Sequence, residues 1–127
     1  MLANDTISNN EIAIYKVESI QSKAKVVCLS SSDTYSYPET WLGTVKKNKI
    51  GIIIGEATAG TNGDIVRVKN TKIFGLWFTG LIVKMNGQRT HGIGILPDIA
   101  LSPTIEGIRQ GKDEILERAI EYLKNNE

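Results

Sequence analysis

What the sequence lacks narrows its class first. It has a single cysteine, Cys28, so no internal disulfide can form, and with a single histidine, His91, no paired metal-ligand spacing exists. With only three prolines, the sequence also lacks a proline-rich linker, and it has no internal repeat or low-complexity tract. No run approaches the roughly 18 to 20 apolar residues that span a bilayer. Residues 1–10 lack the basic start and apolar stretch of a signal peptide. Charge of one sign is missing too: 15 Lys and Arg against 14 Asp and Glu give a net +1. A general attraction to nucleic acid or anionic lipid is therefore not expected.

What is present fits one soluble core: 127 residues, 41% hydrophobic and 23% charged. Residues 1–23 read as an arm or partial element, with Ile12, Ile14 and Val17 hinting at a short alternating strand. Lys25–Ser30 (KVVCLS) reads as a buried, central strand that buries Cys28. Pro38 suits the first turn of a helix, and Trp41, Leu42 and Val45 then recur at helical spacing, which predicts a helix over Pro38–Lys47. Ile50–Gly55 (IGIIIG) is a second buried strand, so strand, helix and strand form a parallel βαβ unit of α/β class.

Beyond it, ATAGTNGD (57–64) is a Gly-rich loop. Ile65–Lys69 and Phe74–Met85 read as a hairpin turning near Asn70, with Trp77 and Phe78 on opposite faces and assigned to core. Asn86 and Gly87 make another turn. Gly92–Leu101 reads as extended, Pro97 placing it at a sheet edge or strand end. From Asp113, the stripe Ile115, Leu116, Ala119, Ile120 and Leu123 predicts an amphipathic C-terminal helix. The Gly-rich loop lacks both nucleotide-binding glycine patterns and no helix follows it, which argues against a phosphate cradle.

The stretch with chemical content is SDTYSYPETWLG (32–43), where Ser36 sits between a buried strand and the start of a helix. The sheet can hold such a serine rigidly while unpaired N–H groups of the helix start face whatever oxygen gathers negative charge beside it. A serine there can equally be a helix cap. Glu39, in the first turn, is favoured by the helix dipole whatever else it does. His91 carries the ring best suited to proton transfer near neutral pH, or it is simply a solvated residue after a turn.

Four segments in register strengthen the nucleophile reading. Ser36-Tyr37-Pro38-Glu39, Ile54-Gly55-Glu56-Ala57-Thr58-Ala59-Gly60, Gly92-Ile93-Gly94-Ile95-Leu96-Pro97-Asp98 and Gly111-Lys112-Asp113 together resemble the C-terminal-processing and tricorn-core serine peptidase family, including its Bacteroides-like branch. The resemblance runs from about Lys23 to the end. It implies a crotonase-like fold, with residues 24–127 forming the C-terminal part of the catalytic domain, and peptide or unfolded protein as substrate. It further implies Ser36 as nucleophile, the Tyr37 backbone N–H as oxyanion donor, no cofactor or metal, and a periplasmic, cell-envelope or secreted setting.

Two positions depart from the family pattern. Thr61 stands where the processing branch has a lysine base, and a threonine cannot take that proton. His91 stands where the tricorn branch has an orienting glutamate, and it is assigned an orienting role. The resemblance puts the general base and a second oxyanion donor in a preceding half of the domain. The isolated chain is thus expected to be nearly inactive, and exposed sheet edges are expected to favour self-association into a homo-oligomer. The alternative is a non-catalytic peptidase-like module that holds peptides without cutting them.

Overall fold

The computed structural model describes residues 2–7, 11–16, 24–63, 65–67, 75–79, 82–85 and 87–125. Its centre is a three-stranded parallel sheet made of β3 (Val27–Ser30), β4 (Ile52–Gly55) and β9 (Ile99–Ala100), in the order β3-β4-β9. Between β3 and β4 runs helix α1 (Tyr37–Asn48), which makes the expected βαβ unit. The register pairs Val27 with Ile52 through Ser30 with Gly55, and Ile54 with Ile99.

The apolar run of β4 is explained by cover on both faces. Ile53 and Ile54 are both fully buried, and alternation along the strand sends them to opposite sides. Ile53 joins Leu42 of α1, Met85 and Ile95. Ile54 joins Ile115 and Ala119 of the C-terminal helix α3 (Glu114–Asn125). Asp113 starts α3 by accepting the Leu116 N–H at 2.9 Å, a side-chain cap. At the other end of the sheet, Asp98 accepts the Ile53 N–H at 2.8 Å and so sets β9 against β4 just after Pro97.

Smaller pieces surround this centre. β1 (Leu2–Ile7) pairs antiparallel with β2 (Glu11–Lys16), so the expected strand around Ile12 and Ile14 has a partner that alternation alone did not predict. Val17 lies outside the described residues. β5 (Ile65–Arg67) pairs antiparallel with β6 (Trp77–Thr79), the expected hairpin, whose turn near Asn70 lies outside the described residues. β7 (Lys84–Met85) and β8 (Gln88–Arg89) close a tight hairpin at Gly87, whose φ is +76°.

Four expectations are corrected. β3 is an edge strand of the described sheet rather than a central one, and Leu29 on it is exposed. Cys28 is half-buried and packs against the Leu42 cluster. The segment expected as one strand over Phe74–Met85 contains two short ones, β6 and β7. Trp77 and Phe78, assigned to core, are 57% and 52% exposed. Alternation predicts two faces for a strand but cannot say that anything covers them.

A short helix, α2 (Ile105–Arg109), has no counterpart in the sequence-based expectation. Thr104 caps it by accepting the Gly107 N–H at 2.9 Å, and Glu114 holds Thr104 in turn through its N–H and hydroxyl. Five residues are too few to display a helical period.

Candidate active site

The end of β3 is fastened before the chain turns. Ser30 Oγ donates to the Glu56 carbonyl at 2.7 Å, and the Glu56 N–H donates to the Ser30 carbonyl at 3.0 Å. Thr34 then closes a turn on Ser31, its N–H reaching the Ser31 carbonyl at 2.9 Å and its Oγ1 accepting the Ser31 N–H at 3.1 Å. The Thr34 carbonyl accepts the Ala59 N–H at 2.9 Å, which ties this turn to the Gly-rich loop.

Ser36 follows with φ 63° and ψ −131°, a left-handed conformation rare for a residue with a Cβ. Such a backbone costs about 1–3 kcal/mol and persists only where its surroundings enforce it. Ser36 stands at the N-cap of α1 yet makes no side-chain capping bond. The hydroxyl therefore does none of the usual work of a cap serine. Tyr37, the first helical residue, carries one of the N–H groups that the helix itself cannot satisfy.

Glu39 supplies much of the enforcement. It is 1% exposed, and its carboxylate accepts three hydrogen bonds: from Thr58 Oγ1 at 2.5 Å, Gly60 N–H at 2.6 Å and Thr61 N–H at 3.1 Å. Thr58 Oγ1 passes the link on by accepting the Ile95 N–H at 2.7 Å. Asn62 adds a bond from Nδ2 to Thr40 Oγ1 at 2.7 Å. The first turn of α1 is thus locked to the Gly-rich loop by charge-assisted bonds, the strongest class available to it. The loop donors that a phosphate would need serve Glu39 instead, in keeping with the expectation against a phosphate cradle.

Ser36 and Tyr37 line a cleft of about 760 Å³, walled by Cys28, Leu29, Trp41 and Leu42. Burial pushes the Cys28 thiol above its ordinary value of 9.0, while a hydrogen bond with Trp41 works in the opposite sense. At neutral pH the group is a neutral thiol, so this wall is apolar. Asp33, Thr34 and Tyr35 line the same cleft, so the serine hydroxyl lies between an apolar wall and a polar one.

His91 is not among the residues lining that cleft. It is attached to the same scaffold from another side, for the N–H of Gly92 donates to the Gly60 carbonyl at 2.7 Å. Its ring Nδ1 is buried and has no hydrogen-bond partner among the described residues. An unpaired buried nitrogen is an uncommon and costly feature. Among the described residues no cluster of three metal-ligating side chains occurs.

The sequence profile of peptidase family S41 matches residues 3–101. The chain belongs to peptidase family S41. It is similar in structure to the photosystem II D1 C-terminal processing protease, with 26% identity and a TM-score of 0.64 over 88% of this chain and 32% of that one. It resembles mature CPAF, solved with lactacystin, at 25% identity and a TM-score of 0.74, covering 90% of this chain and 23% of that one. A peptidase candidate from Parabacteroides merdae shares the fold at 22% identity and a TM-score of 0.79 over 97% of this chain and 42% of that one. The chain thus spans less than half the length of each of these proteins. No curated protein sequence matches it. Peptide-bond hydrolysis is the activity of the family, and the mixed helix and strand architecture agrees with membership. No described helix is long and apolar enough to cross a membrane.

Sequence reasoning missed the role of Glu39, which was read only as a residue of the first turn favoured by the helix dipole. A signal was present. A loop with several glycines offers N–H groups that need an acceptor, and a carboxylate on a neighbouring helix start is the strongest acceptor at hand.

Proposed function

We propose that this chain carries the nucleophile side of a serine endopeptidase active site, on a crotonase-like core formed by residues 24–127. Ser36 Oγ attacks the carbonyl carbon of a peptide bond and passes its proton to a base. The Tyr37 N–H faces the oxygen that becomes negative. The C–N bond then breaks, the amine leaves with a proton, and water hydrolyses the ester on Ser36. Substrates are peptides or unfolded protein segments, and the setting is the cell envelope or beyond. His91 takes an orienting role from the rim of the Gly-rich loop.

One observation carries this reading: Ser36 holds a strained left-handed backbone while its hydroxyl makes no capping bond at the start of α1. A structural serine has no use for that combination. Thr61, whose N–H is bound to Glu39, offers no base, and by family resemblance the base and a second oxyanion donor come from polypeptide outside these 127 residues. Loss of one oxyanion donor costs about 100- to 1,000-fold in turnover. The 127-residue chain alone is therefore expected to react only slowly with a fluorophosphonate. In the complete protein, Ser36→Ala is expected to abolish peptide cleavage, and undiminished cleavage by that variant removes Ser36 from the mechanism.

The edge position of β3 in the described sheet favours a second reading, in which the domain associates through its sheet with another copy and holds peptides without cutting them. Light scattering on the purified chain tests it, and a strict monomer across the micromolar range ends it.

A further inference from the structure

The cleft beside Ser36 has charge of one sign in its lining. Among the described residues that line it, Asp33 is the only acidic one, and no lysine or arginine does so. Asp33 is exposed, and among the described residues no hydrogen bond or ion pair engages its carboxylate. The backbone beneath it is nevertheless fixed. Ser31, Ser32, Asp33 and Thr34 form a turn closed by the Thr34 N–H on the Ser31 carbonyl, with Asp33 in its third position. The Ala59 N–H, 2.9 Å from the Thr34 carbonyl, anchors that turn to the Gly-rich loop. Ser36 follows three residues later, so the Cα atoms of Asp33 and Ser36 lie within about 11 Å of each other even at full extension.

Aromatic side chains share the cleft with this carboxylate. Trp41 is 51% exposed, and its indole N–H, which can only donate, is the hydrogen-bond partner of Cys28. That bond ties the ring to β3 while half of the residue stays in solvent. Tyr35 and Tyr37, both exposed, line the cleft as well, and Leu29 adds an exposed apolar surface. A free carboxylate among aromatic rings is the chemistry that recognises a cation on a long apolar stem: the head meets the carboxylate and the ring faces, and the stem lies on the apolar wall. An acidic side chain would meet Asp33 as a like charge.

We infer that this cleft takes a lysine or arginine side chain of the peptide, with its stem on Leu29 and Trp41 and its head on Asp33, so that Asp33 selects which segments are presented to Ser36. The inference rests on the peptidase reading of the cleft and adds the class of side chain that it prefers. Ion pairs in open solvent contribute little, and the low-dielectric wall and the ring faces raise this one only in part. The expected selectivity is therefore about fivefold rather than several orders of magnitude.

Binding is measured without cleavage, so the result does not depend on Ser36 being the nucleophile, and loss of the preference leaves that assignment standing. The 127-residue chain carrying Ser36→Ala is titrated into short fluorescent peptides, capped at both ends and alike except for a central lysine, arginine, norleucine or glutamate. Norleucine keeps the lysine stem and lacks the charge. The lysine and arginine peptides are expected to bind about fivefold more tightly than the norleucine peptide, with glutamate weakest and the differences shrinking as salt rises. Asp33→Asn, which keeps a residue suited to the turn, is expected to make lysine and norleucine equal within about twofold. Asp33→Lys is expected to turn the preference toward glutamate. Glu117→Gln, on α3 across the sheet from α1, is expected to leave it intact. Equal binding of lysine and norleucine by the Ser36→Ala chain, a preference that survives Asp33→Asn, its loss in Glu117→Gln, or the failure of every peptide to bind overturns the inference.

Discussion

The turn at Ser36 and the β5–β6 hairpin are opposites. At the turn a polar residue, Glu39, is sealed inside with every contact satisfied, and a strained backbone is held in place around it. On the hairpin, large apolar side chains, Ile65, Trp77 and Phe78, lie exposed. The first region is over-determined by its own chain and the second is not. The Ser36 turn is held by polar contacts within its own chain, as the role proposed for Ser36 requires.

The sharpest way to break the contrast is at Glu39. Glu39→Ala leaves the buried Thr58 Oγ1 and Gly60 N–H, and the partly buried Thr61 N–H, without an acceptor, and is expected to cost about 3 kcal/mol in urea unfolding. A cost below about 1 kcal/mol would mean that the loop does not depend on the carboxylate. Next comes the strain. Ser36→Gly is expected to stabilise by about 1 kcal/mol, since glycine adopts a left-handed backbone freely, while Ser36→Ala stays within about 0.5 kcal/mol of the parent because no capping bond is lost. A clear loss of stability in Ser36→Ala would give the hydroxyl a structural duty. On the hairpin, Phe78→Ser is expected to cost no more than about 1 kcal/mol, and a larger loss would show that the exposed face is covered in solution.

The smallest effect is a dependence on pH. A hydrogen bond from the Ser102 side chain, and then the Ser32 N–H at 3.3 Å, hold the Glu56 carboxyl below its ordinary value of 4.5. A carboxyl depressed in the folded state adds stability above its unfolded value and loses it as pH falls through the folded one. Unfolding midpoints should therefore decline more steeply below about pH 4.5 for the parent than for Glu56→Gln. Equal slopes would show that the contact does not persist in solution.

Much of the α/β core was legible because its signals are local. The β-branched runs KVVCLS and IGIIIG, with Pro38 between them, specify strand, helix and strand, and the stripe from Ile115 to Leu123 specifies α3. The turn holding Ser36 was legible as a position, but its left-handed backbone was not, since nothing about a serine announces a φ of 63°. Burial of Glu39 depends on a loop about twenty residues away, and exposure of Trp77 depends on the absence of a covering layer. Neither is written in a neighbouring residue. The edge position of β3 was misread for the same reason, because an apolar run reports a strand and not the count of its neighbours.

Glu39 grips Thr61 through the main chain alone, by an N–H that nearly every amino acid possesses. Whatever side chain occupies that position, its root is fixed relative to the bend that carries Ser36. The side chain at position 61 can therefore be exchanged with that backbone bond kept. The loop works as a socket whose fitting is independent of the plug.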